Sequence, residues 1–514
     1  MLIKTFGSAV FGVEAIPISI EVNHLATGAK TVLVGLPDNA VKESIQRIES
    51  AIKSNGYRMP RTRLVISLAP ADIRKSGSAF DLAIALGILA ASEQMHGFDV
   101  IENYMIMGEL GLDGTIQPIR GALPIAITAK REGFQGLIVP GQNSREAGMV
   151  SGIDVYGVSH ISQVISFFNN PGFLQPVTVD AEEEFFHSQY DFDFDFSEVK
   201  GQENIKRALE IAAAGGHNAI LIGPPGAGKT MLAKRLPTIL PPLSLPEALE
   251  TTKIHSVAGK LPENATLISK RPFRSPHHTI SDVALVGGGG IPQPGEISLA
   301  HHGVLFLDEL PEFKRSVLEV MRQPMEERKV SISRAKLAVD FPANFMLIAS
   351  MNPCPCGYYN HPEKECTCAP GMVQKYLNKI SGPLLDRIDL HVEVTPVPFS
   401  ELSNYIQAEA SSVIRERVII ARASQTERFR FQSGVFCNAQ MNIRILKEVC
   451  VINKAGENLL KTAMQKLNLS ARAYERILKV SRTIADLGNS EDIKPEHLAE
   501  AIQYRSLDRE GWAG

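Results

Sequence analysis

Gly223-Pro-Pro-Gly-Ala-Gly-Lys-Thr230 follows the apolar run Ala219-Ile-Leu-Ile222 and opens onto a helix-forming stretch. Strand, loop and helix in that order are the context in which G-x-x-x-x-G-K-T becomes a phosphate-binding loop. Gly223, Gly226 and Gly228, with Pro224, Pro225 and Ala227 between them, let backbone N–H groups close around a β-phosphate. Lys229 neutralises phosphate charge, and the Thr230 hydroxyl can hold Mg²⁺. Downstream, Val304-Leu-Phe-Leu-Asp-Glu309 is an apolar strand that ends in two carboxylates. Asp308 suits the Mg²⁺ shell, and Glu309 suits orienting or activating an attacking water. A phosphate loop arises by chance now and then; the pair in this order does not follow from packing, and it predicts hydrolysis of ATP.

The rest of the chain bounds that reading. Its 514 residues allow about three domains, each large enough for its own core. The longest apolar run, Leu82 to Ala91, follows Asp81 and falls short of the roughly 20 residues a bilayer span needs. Met1 to Phe6 lacks the charged-then-apolar pattern of a secretory signal. A cytoplasmic protein with no membrane partner is expected. The net charge of −3 gives no global attraction to nucleic acid, so DNA contact would need a local basic patch or a ring lumen.

Composition divides the chain. Residues 1–170 alternate short apolar runs (Thr31–Val34, Arg63–Ser67, Gly136–Val139) with amphipathic stretches and read as α/β. Residues 171–197 carry Pro171, Pro176, an acidic tract and an Asp-Phe alternation, Asp191 to Phe196. They read as an acidic linker, either a solvated tether or an edge strand or docking segment. Residues 198–395 hold the nucleotide motifs, and 396–514 show helical spacing, as in Leu467 to Leu487 and Ile493 to Tyr504.

Further pieces gather around the phosphate loop. In Phe196-Ser-Glu-Val-Lys-Gly-Gln202, Val199 is placed to pack against a nucleotide base. Asn352 ends the buried run Phe345 to Ala349 in Ala349-Ser-Met-Asn352 and can align water against a γ-phosphate. Arg387 lies in Gly382-Pro-Leu-Leu-Asp-Arg-Ile-Asp389, and Arg472 in Leu469-Ser-Ala-Arg-Ala473. A lone arginine is usually a surface residue; the order of the whole series is what carries weight.

That order resembles the AAA+ ATPases. Phe273-Arg-Ser-Pro-His-His-Thr-Ile-Ser281, Pro294-Gly-Glu-Ile-Ser-Leu-Ala-His301, Leu307-Asp-Glu-Leu-Pro-Glu-Phe313 and Met351-Asn-Pro-Cys-Pro-Cys-Gly357 resemble the magnesium-chelatase-like YifB/ComM family over essentially the full length. The resemblance implies a P-loop AAA+ α/β core with a C-terminal helical lid. By it, Asn352 takes the sensor-1 position, Arg387 the arginine finger and Arg472 sensor 2, in a homo-hexameric ring. It also implies a helix-2 insert at Phe273–Ile297, with Gly287 to Gly290 as a flexible tip, and a pre-sensor-1 hairpin at Val330–Val339. Arg334 and Lys336 near the hairpin turn would face DNA in the pore; the alternative is that they cap a solvated turn or pair with Glu326 and Glu327.

Cys354, Cys356, Cys366 and Cys368 form C-x-C-x₉-C-x-C, while Cys437 and Cys450 stand apart as ordinary thiols. The four suit a structural Zn²⁺, although the usual spacing is C-x₂-C. A redox-sensitive disulfide pair and free buried thiols are the other readings, with His361 as a spare ligand. Toward the N-terminus, Gly108 to Gly121 and Gly133 to Pro140 resemble the Lon protease catalytic domain, of ribosomal S5 domain 2-like fold. The matching serine is Ser78, but the position of the activating lysine holds Leu123, followed by Pro124. Without a buried amine the hydroxyl has no base. Lys130 is about two turns away and does not substitute, so the domain is expected to be proteolytically inactive, with Ser78 as a helix cap or packing residue.

The resemblance thus implies a hexameric, ATP-driven DNA motor, a helicase or branch-migration enzyme acting on single-stranded or branched recombination intermediates, as in natural transformation. A protein-remodelling machine and a magnesium-chelatase-type motor subunit are the alternatives. If Arg387 is a trans finger, Arg387→Ala should lower ATP turnover by roughly 10³-fold or more and leave nucleotide binding intact. Unchanged turnover in that variant would remove Arg387 from the site.

Overall fold

Alternation of apolar and polar residues over the first 25 positions buries one face of a long hairpin, with Ile18, Ile20 and Val22 inaccessible to solvent. Its strands are β1 (Leu2–Phe11) and β2 (Glu14–Leu25), antiparallel from Leu2 opposite Asn23 to Phe11 opposite Glu14. The computed structural model describes all residues except 26, 27, 29, 171, 263–266, 291, 335, 336, 360, 362, 370, 398–407, 468 and 506–514. Around the hairpin, β3 (Thr31–Val34), β4 (Arg63–Ala69), β5 (Tyr104–Ile106), β8 (Gly136–Pro140) and β9 (Asp154–Val158) complete a seven-stranded sheet ordered β3-β4-β2-β1-β5-β8-β9. Between β5 and β8, β6 (Glu109–Leu110) and β7 (Ile116–Gln117) form a small antiparallel ladder.

The apolar run that is too short for a bilayer becomes the helix Asp81–Ala91, buried at every position and packed on β1 and β2. Gly87 lets it approach: a Cβ there would lie 2.7 Å from Val22 Cγ2. Asp81 starts this helix as a buried carboxylate. Arg47, from the helix Asn39–Ser54, meets it with Nε at 2.8 Å and Nη2 at 3.1 Å.

Two compact units partition the chain. The first takes Met1–His187, Leu245–Ile268 and Ser333–Phe341, and the second takes Ser188–Ser244, Ser269–Ile332 and Pro342–Gly514. The first therefore runs past residue 170 and recruits two segments that no composition shift marks. Hydrogen bonds explain the recruitment of residues 245–268: Gly121 N donates to Ser256 O at 3.1 Å, and the Ser256 hydroxyl bonds the Glu146 carboxylate. The expected tether also differs. Ala181–Ser188 is helical, with Phe185 buried. Glu183 N donates to Asp180 Oδ1 at 3.0 Å. Acidic residues favour the positive end of a helix, so the acidic tract is a helix start. The following Asp-Phe alternation forms no strand; instead Lys270 lies over Phe192 and Arg235 over Phe194.

The second unit is built on five parallel strands: β10 (Ala219–Ile222), β11 (Phe273–Arg274), β14 (Val304–Leu307), β17 (Met346–Met351) and β18 (Leu390–Glu393), ordered β11-β14-β17-β10-β18. Two insertions interrupt them. In one, β12 (Gly287–Gly288) pairs with β13 (Gln293–Pro294). Gly287 and Gly288 are thus ladder residues, where the sequence reading expects a flexible tip. A Cβ on Gly287 would lie 2.5 Å from Gln293 O, and one on Gly295 would lie 2.4 Å from Gly287 N, so the glycines serve close backbone approach. The other is the expected hairpin, β15 (Lys329–Arg334) and β16 (Leu337–Pro342). Past residue 410 the chain is helical at Ser411–Phe429, Ile443–Val449, Lys454–Lys466, Ala471–Leu487 and Pro495–Gln503. Leu467 caps the third of these, so the helical pattern expected from Leu467 to Leu487 begins at Ala471. No described helix is long and apolar enough to cross a membrane.

Removing one partner of a buried ion pair strands the other charge, at a cost of about 3–5 kcal/mol. Arg47→Ala should therefore lower the unfolding free energy by about 3 kcal/mol in chemical denaturation. Asp81→Asn in the same chain should restore most of the loss; no recovery would show that the cost lies in packing and not in the stranded carboxylate.

Candidate active site

The order β11-β14-β17-β10-β18 places β10 where the direction of chain progression reverses, and open parallel sheets bind ligands beyond the carboxyl ends of their strands at such a point. Gly223–Thr230 leaves β10 there, with Gly226 at φ +78° and Gly228 at φ +85°. β14 delivers Asp308 and Glu309 to the same edge, and β17 delivers Asn352. Pro225 to Met231, Asp308, Glu309, Ser350, Met351 and Asn352 line one open cleft of about 430 Å³.

Inside it the groups named from the sequence meet. Lys229 Nζ donates to Gly223 O at 2.7 Å, Pro224 O at 2.9 Å and Asn352 Oδ1 at 3.1 Å, which engages all three ammonium hydrogens. Burial pushes the Lys229 pKa down, while Asp308 and Glu309 favour its charged form. Thr230 Oγ1 donates to Asp308 Oδ2 at 2.7 Å. A hydroxyl and a carboxylate oxygen side by side are the hard donors that Mg²⁺ accepts. Glu309 has left-handed backbone, φ +54°, which a non-glycine residue adopts at a cost and which carries its half-exposed carboxylate off the strand line.

Two contributors carry no signal in the motifs. Ser350, inaccessible to solvent, donates its hydroxyl to Asp308 Oδ1 and accepts from Glu309 N at 3.5 Å. Strand register would have found it: Leu307 lies opposite Ala349, so the next step sets Asp308 beside Ser350. His278 reaches in from the first insertion, its Nδ1 3.7 Å from Glu309 Oε2.

Other expected residues lie elsewhere. Val199 is 1% exposed in the same apolar core as Phe196 and Ala227 and does not line the cleft. The neighbouring Gln202 does touch the loop, donating from Nε2 to Ala227 O at 2.9 Å. Arg387 is buried with Nη2 2.5 Å from Glu326 Oε1 and Nη1 on Pro383 O at 2.6 Å. Arg472 lies in the first turn of Ala471–Leu487, mostly exposed, with Nη1 2.9 Å from Asp386 Oδ2. Neither arginine lines the cleft of its own chain. Arg334 ends β15, and Lys336 lies outside the described residues; of the acidic pair named as their alternative partners, Glu326 holds Arg387 and Glu327 accepts from Gln323 at 2.9 Å. The sulfurs of Cys354, Cys356, Cys366 and Cys368 cluster just beyond Asn352.

In the first unit Ser78 donates its hydroxyl to the Glu109 carboxylate, and the helix that follows has Phe80 at its N-cap, so Ser78 is not a side-chain cap. Leu123 is inaccessible, and Lys130 lies against Gly152. The nearby Lys75 is buried with its amine on Pro70 O, and burial lowers its pKa. No amine bonds Ser78 among the described residues.

A strand order with a phosphate loop, an acidic strand end and a polar amide at one end of the sheet is the arrangement of a P-loop nucleotide-binding protein, and the comparisons give its class as magnesium-chelatase-like AAA+. Family models agree: residues 195–402 match magnesium chelatase, subunit ChlI; residues 20–143 match subunit ChlI of Mg-chelatase; and residues 408–505 match the ChlI C-terminal region. The chain is 44% identical over 508 residues to an uncharacterized protein, YifB, of Salmonella typhimurium, covering 98% of this chain and 96% of the relative. It is 44% identical over 507 residues to the competence protein ComM of Haemophilus influenzae, covering 98% and 97%. It is 43% identical over 508 residues to YifB of Escherichia coli, covering 98% and 96%. The chain belongs to the YifB/ComM family of magnesium-chelatase-like proteins.

Ser350→Ala removes the hydroxyl that fixes Asp308 and the Glu309 amide. It should lower kcat for ATP about tenfold with little change in nucleotide affinity, in line with the usual effect of losing an outer-shell partner. Affinity falling in step with kcat would show that Ser350 supports the loop and not the carboxylates.

Proposed function

We propose that the protein is an ATP-driven motor on DNA, acting on branched or single-stranded recombination intermediates as a homo-hexameric ring. The observation that carries the reading is the meeting of Lys229, Thr230, Asp308, Glu309 and Asn352 at one strand edge, in a chain 44% identical to a competence protein along nearly its whole length. On ATP binding, Lys229 exchanges its carbonyl partners for phosphate oxygens. Thr230 and Asp308 would hold Mg²⁺, which screens phosphate charge. Glu309 orients the attacking water and takes its proton, Asn352 aligns that water, and Ser350 and His278 steady the two carboxylates.

Arg387 and Arg472 fit this reading as groups that act beyond their own cleft. An arginine held by Glu326 away from its own phosphate loop suits delivery to a neighbour's nucleotide, and Arg472 suits a helical lid that moves as the ring turns over. The hairpin of β15 and β16 is the element we assign to the pore, with Arg334 and Lys336 toward DNA. We take the first unit as a Lon-like domain without protease activity, since Ser78 has a carboxylate and not an amine for partner. A second reading, a chelatase-type motor, is favoured by the magnesium chelatase family model on residues 195–402.

ATP turnover with no nucleic acid, single strands, duplex and a four-way junction separates these readings, with Glu309→Gln as control. The DNA reading expects stimulation that is strongest on the junction and lost in Glu309→Gln, with strand displacement following. Indifference to every DNA would overturn it, and stimulation by a porphyrin with Mg²⁺ and a partner fraction would favour the chelatase reading.

A further inference from the structure

Cys354, Cys356, Cys366 and Cys368 place their four sulfurs within 4.8 Å of one another. Cys354 Sγ lies 3.3 Å from Cys356 Sγ and 3.7 Å from Cys366 Sγ, and the last two are 3.5 Å apart. Four thiolates around one Zn²⁺, each with a Zn–S bond of about 2.3 Å, stand about 3.8 Å apart along the edges of the tetrahedron. The three separations among Cys354, Cys356 and Cys366 fall at or slightly inside those edges, and Cys368 Sγ lies within 4.8 Å of each. Ligands of an iron–sulfur cluster must spread around a larger core, so the spacing favours a single ion among the metals that choose four soft thiolates.

The backbone is shaped for the same purpose. Gly357, at φ +85°, turns the chain directly after the first Cys pair, and its N–H donates to Cys354 O at 3.0 Å. Cys354 is inaccessible to solvent, and the other three are partly exposed. His361, the spare ligand of the sequence reading, uses Nδ1 to accept from Glu363 N at 3.0 Å and Lys364 N at 3.1 Å, so it closes a turn outside the sulfur cluster.

The knuckle also touches the nucleotide cleft at two points. Cys354 follows Asn352 by two residues, and Asn352 Oδ1 holds Lys229. Gly357 backs onto the phosphate loop so closely that a Cβ would lie 2.5 Å from Pro225 Cδ. We propose that the four thiolates bind one structural Zn²⁺, and that the loop it closes braces the Asn352 and Pro225 walls of the nucleotide cleft. The metal site stands independently of the function proposed above; the bracing rests on that cleft binding ATP.

Metal analysis of the full chain purified under reducing conditions tests the site with neither nucleotide nor DNA present. One zinc per chain is expected, absent from Cys366→Ser/Cys368→Ser. Replacing zinc with Co²⁺ should give the thiolate charge-transfer and tetrahedral d–d absorption of a four-sulfur site. Should the double variant fail to fold, a thiol reagent on the intact protein should release one zinc as four cysteines are modified. Metal-free protein with four titratable thiols or with disulfides, or a cobalt form without thiolate bands, overturns the site. For the bracing, KM for ATP should rise roughly fivefold or more in the double variant, a coupling of ordinary size between adjoining sites. A zinc-free variant with unchanged KM overturns the bracing and leaves the metal site standing.

Discussion

Everything at the cleft depends on the register of β10 between β17 and β18, and of β14 against β17. Ile222 lies opposite Met351 and Glu393, and Leu307 opposite Ala349. Val304 to Leu307 are all inaccessible to solvent, as are Ala219 to Leu221, with Ile222 nearly so. One residue beyond each strand the chain reaches the edge of the sheet and delivers Gly223, Asp308 and Asn352. Sliding β14 inward by one position would draw Asp308 into that apolar layer, where an unpaired carboxylate costs several kcal/mol. Sliding it outward would expose an apolar side chain. The register is held from both sides, and through it so are the distances between loop, carboxylates and amide.

Charge then fixes the interior of the cleft. Lys229 is the cation bonded within it, set between two carbonyls, Asn352 and the field of Asp308 and Glu309. Burial disfavours its charge, and the two carboxylates offset part of that cost. Asp308 is further satisfied by Thr230 and Ser350, which leaves Glu309 as the carboxylate with freedom to face solvent. A left-handed backbone at Glu309 is consistent with that division of labour: Asp308 is held within hydrogen bonds, and its neighbour is turned outward.

Local motifs were legible where one strand and one loop carry the whole signal. Gly223–Thr230 and Val304–Glu309 needed only their own neighbours, and the cysteine spacing foretold four sulfurs in one place. Val199, Arg387 and Arg472 were harder because burial and ion pairing decide their surroundings. Glu326 lies 61 positions before Arg387 and Asp386 lies 86 before Arg472, and nothing in the intervening residues announces either pair. Glycine at 287 reads as flexibility in sequence, yet a ladder in which Gln293 O comes close to Gly287 demands the same residue. The acidic tract at 180–184 reads as solvated, yet acidic residues are also what a helix start prefers. The first unit gathers residues 245–268 through Ser256, a contact for which the sequence holds no pattern.

The two arginines outside the cleft share one mechanical connection. Arg472 pairs with Asp386, and one turn on, Arg476 pairs with Asp389 at 3.0 Å, so the helix Ala471–Leu487 grips both sides of Arg387. Asp389 also accepts from His217 Nδ1 at 3.1 Å and Asn218 N at 3.2 Å, and His217 Nε2 meets Thr483 on the same helix at 2.8 Å. Burial opposes the charge on Asp389, but Arg476 and His217 hold its carboxyl well below the usual range. The buried network sits at the start of β18 and of β10, the opposite ends of those strands from the nucleotide loops. A buried network of this kind resists partial rupture, because each group left behind would be an unpaired charge. Ala471–Leu487 and the segment carrying Arg387 are therefore tied together chiefly at Asp389. The same helix thus holds the chain on both sides of Arg387, at Asp386 through an exposed arginine and at Asp389 through a buried network.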